Sequence, residues 1–224
     1  MNILFEDEYI IVVEKPVGIA SQKDFSNEDC MLDILKKYLG NNSYIEIIHR
    51  LDKPVGGIMV FSKSNLATKN LNKEIIDKNF QKTYLAVVCG KPIEDEGIFV
   101  DSLLKNQRLN ISKVVNKNTK GSKEAILKYK VLASILENNN YLSLVEIDLI
   151  TGRHHQIRVQ FNSRNLPLWG DYKYNKVLRL NYKSSIALWS YKLSFNHPIS
   201  NKKLNFKLVP HNIYPFNIKE FIVY

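Results

Sequence analysis

Residues Lys128–Leu149 read KYKVLASILENNNYLSLVEIDL. Two β-rich runs, Lys128–Leu136 and Tyr141–Leu149, flank Asn138-Asn139-Asn140, so the stretch reads as a hairpin with the asparagines as its loop. Working outward, residues 97–150 carry the pattern of several antiparallel strands. Upstream, Ile3–Phe5 and Tyr9–Val13 form a strand pair split by Glu6-Asp7-Glu8, and Pro16 and Gly18 break the pattern. Ser26 and Asp29 resemble a capping box, and Met31, Leu32, Leu35 and Leu39 recur at helical spacing before Gly40, predicting a helix over 27–39. Tyr44–Ile48, Ile58–Phe61 and Lys82–Cys89 read as strands. Ser64 caps a helix carrying Leu66, Leu71, Ile75 and Ile76, which ends before Phe80. Between His154 and Asn165 no period decides, although Ile157 and Phe161 permit a short helix. The tail, with Pro198, Pro210 and Pro215, suits short strands and loops. Strands in runs with a few helices between them predict an α+β fold with a largely antiparallel sheet.

The 224 residues include 32 basic and 22 acidic side chains, a formal net charge of +10. Such an excess attracts nucleic acid or anionic membrane, and it equally fits a basic solvated surface. No apolar run approaches the roughly 18 residues that cross a bilayer. The acidic start, Met1 to Asp7, has no basic region ahead of an apolar stretch, so no signal peptide is expected. The two cysteines, Cys30 and Cys89, lie in no metal-binding spacing and predict buried, reduced thiols in a soluble cytoplasmic protein.

Three segments could carry chemistry. In Ile48-His49-Arg50-Leu51-Asp52-Lys53-Pro54-Val55-Gly56-Gly57, charged residues sit between two apolar strands, where charge must be paired or exposed in a cleft. Pro54 and the glycines turn the chain sharply and present Asp52 at a strand end. Read alone, an Arg-Leu-Asp is a charged β-turn. Thr151-Gly152-Arg153-His154-His155-Gln156-Ile157-Arg158 sets a polar run after a buried strand. Adjacent histidines splay on a helix and oppose one another on a strand, and Arg153 and Arg158 repel a cation, so no metal is expected. In Lys82-Thr83-Tyr84-Leu85-Ala86-Val87, Tyr84 read alone is one more sheet tyrosine among twelve.

Together the three segments resemble the RluA family of RNA pseudouridine synthases: His-Arg-Leu-Asp at 49–52, Lys-x-Tyr-x-Ala at 82–86 and Gly-Arg-x-His-Gln-Ile-Arg at 152–158, in the family's order. The stretch from Glu6 to Gly18, the Gly170-Asp171 turn and Leu193–Pro198 are similar to further family patterns, so the resemblance spans about residues 3–209. The chain departs from the family at Val55-Gly56-Gly57, where Thr-Ser-Gly is usual. His154 stands in place of a threonine, and Gln160 where a histidine is common. These departures bear on substrate fit more than on catalysis.

The resemblance implies the pseudouridine synthase catalytic fold, with a mixed, largely antiparallel sheet, flanking helices and a central basic cleft. It also implies one catalytic domain over residues 1–224 acting on ribosomal or transfer RNA; the separate N-terminal RNA-binding module that many relatives carry is not expected, and a monomer is expected. By the same resemblance Asp52, Tyr84 and Arg158 are catalytic, with Asp52 paired to Arg158 and kept ionised by it. Contacts to RNA are implied for His49, Arg50, Lys82, Arg153, His155 and Gln156. Turning a uridine into its carbon-linked isomer conserves atoms and involves no net redox change, so no cofactor and no metal is expected. The rival expectation is a catalytically silent RNA-binding or RNA-folding protein on the same scaffold. A basic run between 105 and 130 (Lys105, Arg108, Lys113, Lys117, Lys120, Lys123, Lys128 and Lys130 against Glu124) suits either a phosphate clamp or a solvated strand face.

Overall fold

The computed structural model describes residues 1–23, 28–137, 139–175 and 185–222. The chain gathers into two compact units, Met1–Lys82 with Trp189–Val209, and Thr83–Leu188 with Pro210–Tyr224. Among the described residues no helix is long and apolar enough to cross a membrane.

The first unit opens with β1 (Ile3–Glu6) and β2 (Ile10–Lys15), the expected antiparallel pair. Asp7 closes the turn by accepting the backbone N–H groups of Tyr9 and Ile10, both at 2.8 Å. Helix α1 runs Met31–Leu39, starting at the first of its apolar positions, so that residues 28–30 of the predicted span lie outside it. Cys30 caps it and Asp33 reaches back to the Cys30 N–H at 3.2 Å, so the described capping box lies at 30–33. Ser26 and Asn27, on which the predicted start rested, lie outside the described residues. The strand expected over 44–48 shrinks to β3 (Glu46–Ile47) on the edge of β4 (Gly56–Ser62).

Helix α2 (Asn65–Ile76) begins as expected, with Ser64 Oγ accepting the Ala67 N–H at 3.2 Å. Its buried stripe is Ala67 and Leu71 with Ile75 half-buried, spaced four apart, which leaves Leu66 and Ile76 exposed. That stripe packs on Ile10, Val12, Ile58 and Val60, alternate residues of β2 and β4. The intervening Ile11, Val13, Met59 and Phe61 are also fully buried, so the sheet is closed on both faces.

In the second unit, β5 (Gln81–Cys89), β6 (Glu96–Asn106), β7 (Ile111–Val115), β8 (Lys123–Glu137) and β9 (Asn140–Leu149) pair antiparallel in the order β5-β9-β8-β6-β7. The β8–β9 hairpin is the one expected at 128–149, with Asn138 outside the described residues and Asn139 at φ 62°. Helix α3 (Gln156–Asn162) crosses one face of this sheet. Phe161 lies 5.1 Å from Phe99 and 5.8 Å from Tyr129, centroid to centroid.

The chain returns to the first unit with β10 (Leu188–Asn196), which pairs parallel with β4 at Trp189–Gly56 and Ser190–Gly57 and antiparallel with β11 (Lys203–Lys207). In the second unit Phe216 and Phe221 of the final segment are buried, and the Tyr214 hydroxyl donates to Glu137 at 2.8 Å. Cys30 is buried as expected; Cys89 is only partly so, and both are free thiols.

Candidate active site

In the first unit, Asp52 sits half-buried on a turn that is braced from several sides. The Val55 N–H closes the turn onto the Asp52 carbonyl at 2.9 Å, and the Gly18 N–H donates to the Lys53 carbonyl at 2.9 Å. Ser21 Oγ takes the Leu51 N–H at 3.1 Å and donates to the Leu51 carbonyl at 2.7 Å. Beneath lies Lys15, wholly buried at the end of an apolar strand. Its ammonium donates to the carbonyls of Pro16 at 2.9 Å, Ile19 at 2.6 Å and Lys53 at 3.2 Å. Burial pulls the Lys15 pKa down to about 7, while the charge of Asp52 acts to raise it. Neither Lys15 nor Ser21 was among the expected site residues. The signal for Lys15 was a lysine ending a strand that, Glu14 apart, is apolar from Ile10 onward.

The remaining expected residues of this unit divide by exposure. Arg50 is exposed and Lys82 half-buried, with burial lowering the Lys82 pKa. His49 is buried: its Nε2 accepts the Val60 N–H at 3.4 Å and its ring stands edge-on to Phe80 at 5.5 Å. Burial, with Lys82 adding to it, pushes the His49 pKa down to about 3, so the imidazole is neutral at physiological pH. Among the described residues, His49 Nδ1 has no hydrogen-bond partner.

In the second unit the segment 151–158 folds into a tight turn leading into α3. Gln156 is buried and ties that turn to β8. Its Oε1 takes the Thr151 hydroxyl at 2.8 Å and the Arg153 N–H at 3.0 Å, while its Nε2 donates to the Ile126 carbonyl at 3.1 Å. Arg153, exposed, donates from Nε to the Glu124 carbonyl at 2.7 Å. His155 has left-handed backbone at φ 54°, which is neither helix nor strand. The two histidine rings therefore stack at 3.8 Å instead of splaying. His155 Nδ1 lies 2.8 Å from the Tyr174 hydroxyl oxygen.

Arg158 is buried one turn into α3 and donates from Nε and Nη2 to the two carboxylate oxygens of Asp171, at 2.7 and 2.8 Å. The Tyr174 ring lies 5.2 Å from its guanidinium carbon. Asp171 belongs to the Gly170-Asp171 turn, and neither it nor Tyr174 was among the expected site residues. Tyr84 is buried in β5 in register with Ile147, which is in register with Tyr129. All three therefore share the sheet face that carries α3. Gln160 is buried too, donating to Asp101 at 2.7 Å and to the Ala125 carbonyl at 3.2 Å. A groove of about 480 Å³ on this unit, lined by Val100, Ser102, Asn116, Lys117 and Glu124 among others, contains none of the expected site residues.

Comparison with known proteins agrees with these motifs. Residues 9–163 match the family model described as RNA pseudouridylate synthase. The chain is 33% identical to the ribosomal large subunit pseudouridine synthase C of Rickettsia bellii, over 91% of this chain and 66% of that protein. It is 32% identical to the uncharacterized RNA pseudouridine synthase YhcT of Bacillus subtilis, over 90% and 66%. The chain thus spans about two thirds of the length of these relatives. Among solved structures, human RNA pseudouridylate synthase domain containing 4 superimposes with a TM-score of 0.76 at 23% identity, covering 92% of this chain and 87% of that one. The human domain containing 1 gives 0.77 at 20% identity, covering 92% and 82%, and both likenesses establish the fold.

Proposed function

Because the chain belongs to the RNA pseudouridylate synthase family, we propose that it isomerises uridine in RNA to pseudouridine, with Asp52 as the central carboxylate. The observation that carries this reading is the Asp52 turn. A half-buried carboxylate is held by the backbone of its two neighbours, Leu51 bonded to Ser21 and Lys53 to Lys15, in a chain bearing the family's motifs in order. A carboxylate that must meet one atom of a sugar or a base gains from such rigidity, because misplacement by about 1 Å can cost a hundredfold in rate.

The reaction breaks the bond from the sugar to the uracil ring nitrogen, turns the base and joins the sugar to a ring carbon. The proton lost from that carbon balances the one gained by the freed nitrogen. Ionised Asp52 either attacks the anomeric carbon or the uracil ring, or takes a sugar proton to give a glycal. Tyr84 stacks on the uracil and is placed to help remove the ring-carbon proton. Arg158 is the cation that the family's motif at 152–158 supplies to the reaction. A stacked uridine must first be flipped out, at a cost of a few kcal/mol. Exposed Arg50 suits the gap the base leaves, and Arg153 and Lys82 suit phosphate contacts. His49, His155 and Gln156 are buried, and on this reading they act through the loops they brace.

The substrate class this reading favours is large-subunit ribosomal RNA, since the relative from Rickettsia bellii bears that name; transfer RNA is the alternative. Both units serve one catalytic domain over residues 1–224, monomeric and cytoplasmic, needing neither cofactor nor metal. A silent RNA-binding protein is disfavoured because Asp52, Tyr84 and Arg158 are all present.

The test is pseudouridine mapping of RNA from cells lacking the gene, complemented with wild type or with Asp52→Ala. A site in ribosomal RNA that vanishes and returns only with wild type is the expected result. Purified wild-type protein that binds such RNA but forms no pseudouridine would overturn the reading in favour of the silent binder.

A further inference from the structure

The β6–β7 hairpin and the chain that follows it into β8 carry charge that the proposed chemistry does not use. Between residues 102 and 123 stand six basic residues, Lys105, Arg108, Lys113, Lys117, Lys120 and Lys123, and no acidic one. All six are exposed. A loose basic loop attracts a polyanion but cannot set its register. This one is fastened. Asn110, in left-handed backbone at φ 47°, closes the turn at the hairpin tip, and its side-chain oxygen lies 3.0 Å from His154 Nε2. An amide oxygen only accepts, so Nε2 donates to it, and Nδ1 lies 2.9 Å from the Ser112 hydroxyl oxygen.

Two more bonds secure the same tip. Lys173 Nζ donates to the Asn110 carbonyl at 3.4 Å, and the Ser112 N–H donates to the Tyr174 hydroxyl at 2.8 Å. Tyr174 in turn lies against His155 and Arg158. The hairpin tip is therefore bonded to the segment that enters α3. His154 holds it through two different residues, one at each ring nitrogen. The threonine usual in the family has its bonding capacity on one oxygen and lacks the two separated nitrogens of the imidazole.

We infer that the β6–β7 hairpin is a phosphate-binding arm for the RNA substrate, and that His154 is the positioning residue that sets where the arm lies. The exposed cations supply the attraction, and counterion release makes it salt-dependent. The His154 bridge supplies the register, so its loss weakens substrate capture and leaves the chemical step intact. The inference rests on the proposed function only for the identity of the polyanion.

The test uses the full chain and a fluorescein-labelled RNA hairpin of roughly 30 nucleotides with uridines in its loop, titrated between about 50 and 200 mM salt. Pseudouridine formation is followed in parallel on transcribed large-subunit ribosomal RNA. Combined Lys105→Glu, Arg108→Glu and Lys113→Glu should weaken binding at least about thirtyfold and lower the salt slope by about 2 to 3. His154→Ala should raise KM about fivefold with kcat within about twofold of wild type. That effect should largely disappear in the charge-reversed background, and His154→Gln, which still reaches Asn110, should restore most of the affinity. An unchanged salt slope in the charge-reversed variant sinks the arm. A His154→Ala that lowers kcat at constant KM, or whose effect adds in full to the charge reversals, sinks the positioning role. Because the binding assay needs no turnover, a wild type that binds but does not isomerise would count against the proposed reaction alone.

Discussion

Arg158 donates two parallel hydrogen bonds to Asp171, from Nε to Oδ2 at 2.7 Å and from Nη2 to Oδ1 at 2.8 Å, with both side chains sealed from solvent. A buried guanidinium needs a compensating charge, and two bonds to one carboxylate also fix its plane. The α3 helix supplies the position of Arg158 and Asp171 supplies its orientation.

Asp171→Asn keeps the shape and removes the charge that grips the buried guanidinium of Arg158. Urea unfolding should show a loss of about 3 to 5 kcal/mol. In whatever fraction remains folded, kcat should fall more than KM rises, because the misplaced group is the cation proposed to serve the reaction. A variant as stable and active as wild type would remove Asp171 from this role.

Asp52→Asn is nearly isosteric on a turn held by backbone bonds, so the fold should survive with its melting temperature changed by no more than a few degrees. RNA binding should persist within about threefold, while turnover falls by at least about a thousandfold, since an amide neither attacks nor takes a proton. Filter binding and single-turnover pseudouridine assays separate the two effects. Residual turnover near wild type would reassign the central carboxylate.

Gly56 has no room for a side chain, because a Cβ there would meet the Trp189 ring at 2.3 Å. This accounts for one departure from the family pattern, the glycine where serine is usual. Gly56→Ser should destabilise by about 1 to 3 kcal/mol through overpacking. In the Trp189→Leu background much of that penalty should vanish, a coupling that thermal denaturation of the four-variant cycle measures. Strict additivity would show that the ring is not the obstacle.

Lys15 gives stability a pH dependence. With its pKa pulled from 10.5 to about 7 by burial, the folded chain releases the proton near neutrality while the unfolded chain keeps it to much higher pH. Between those values the unfolded state binds more protons, so this group's contribution to stability rises with pH across that window and is flat below it. Lys15→Met should flatten the rise and destabilise by about 1 to 3 kcal/mol, because the carbonyls of Pro16, Ile19 and Lys53 lose their donor. Unfolding free energies of both proteins at pH 6 to 10 check the sign; identical slopes would exclude Lys15 as the titrating group.

Strand and helix identity was largely legible because it depends on local spacing. The asparagine-closed hairpin of β8 and β9, the Ser64 cap and the paired β1 and β2 all stand where their side-chain periods put them. Helix starts were less so: Ser26 with Asp29 and Cys30 with Asp33 have the same spacing, and tertiary burial of Met31 and Leu35 favours the second. The buried stripe of α2 was not legible for a related reason. Leu66 and Ile76 are as apolar as Leu71, and only the direction of the sheet beneath decides which side of the helix is covered.

By itself the sequence determined the fold class, the family and the three motifs, since each is written in the order and type of neighbouring residues. Tertiary structure alone decided that His49, His155 and Gln156 are buried braces, that Asp171 grips Arg158 from thirteen residues away, and that Lys15 lies beneath the Asp52 turn. It also made His154 a bridge to Asn110 across 44 positions. The physical reason is that a polar side chain's role follows from whether it is desolvated and what meets it there. Those partners are brought together by the fold, and spacing along the chain does not encode them.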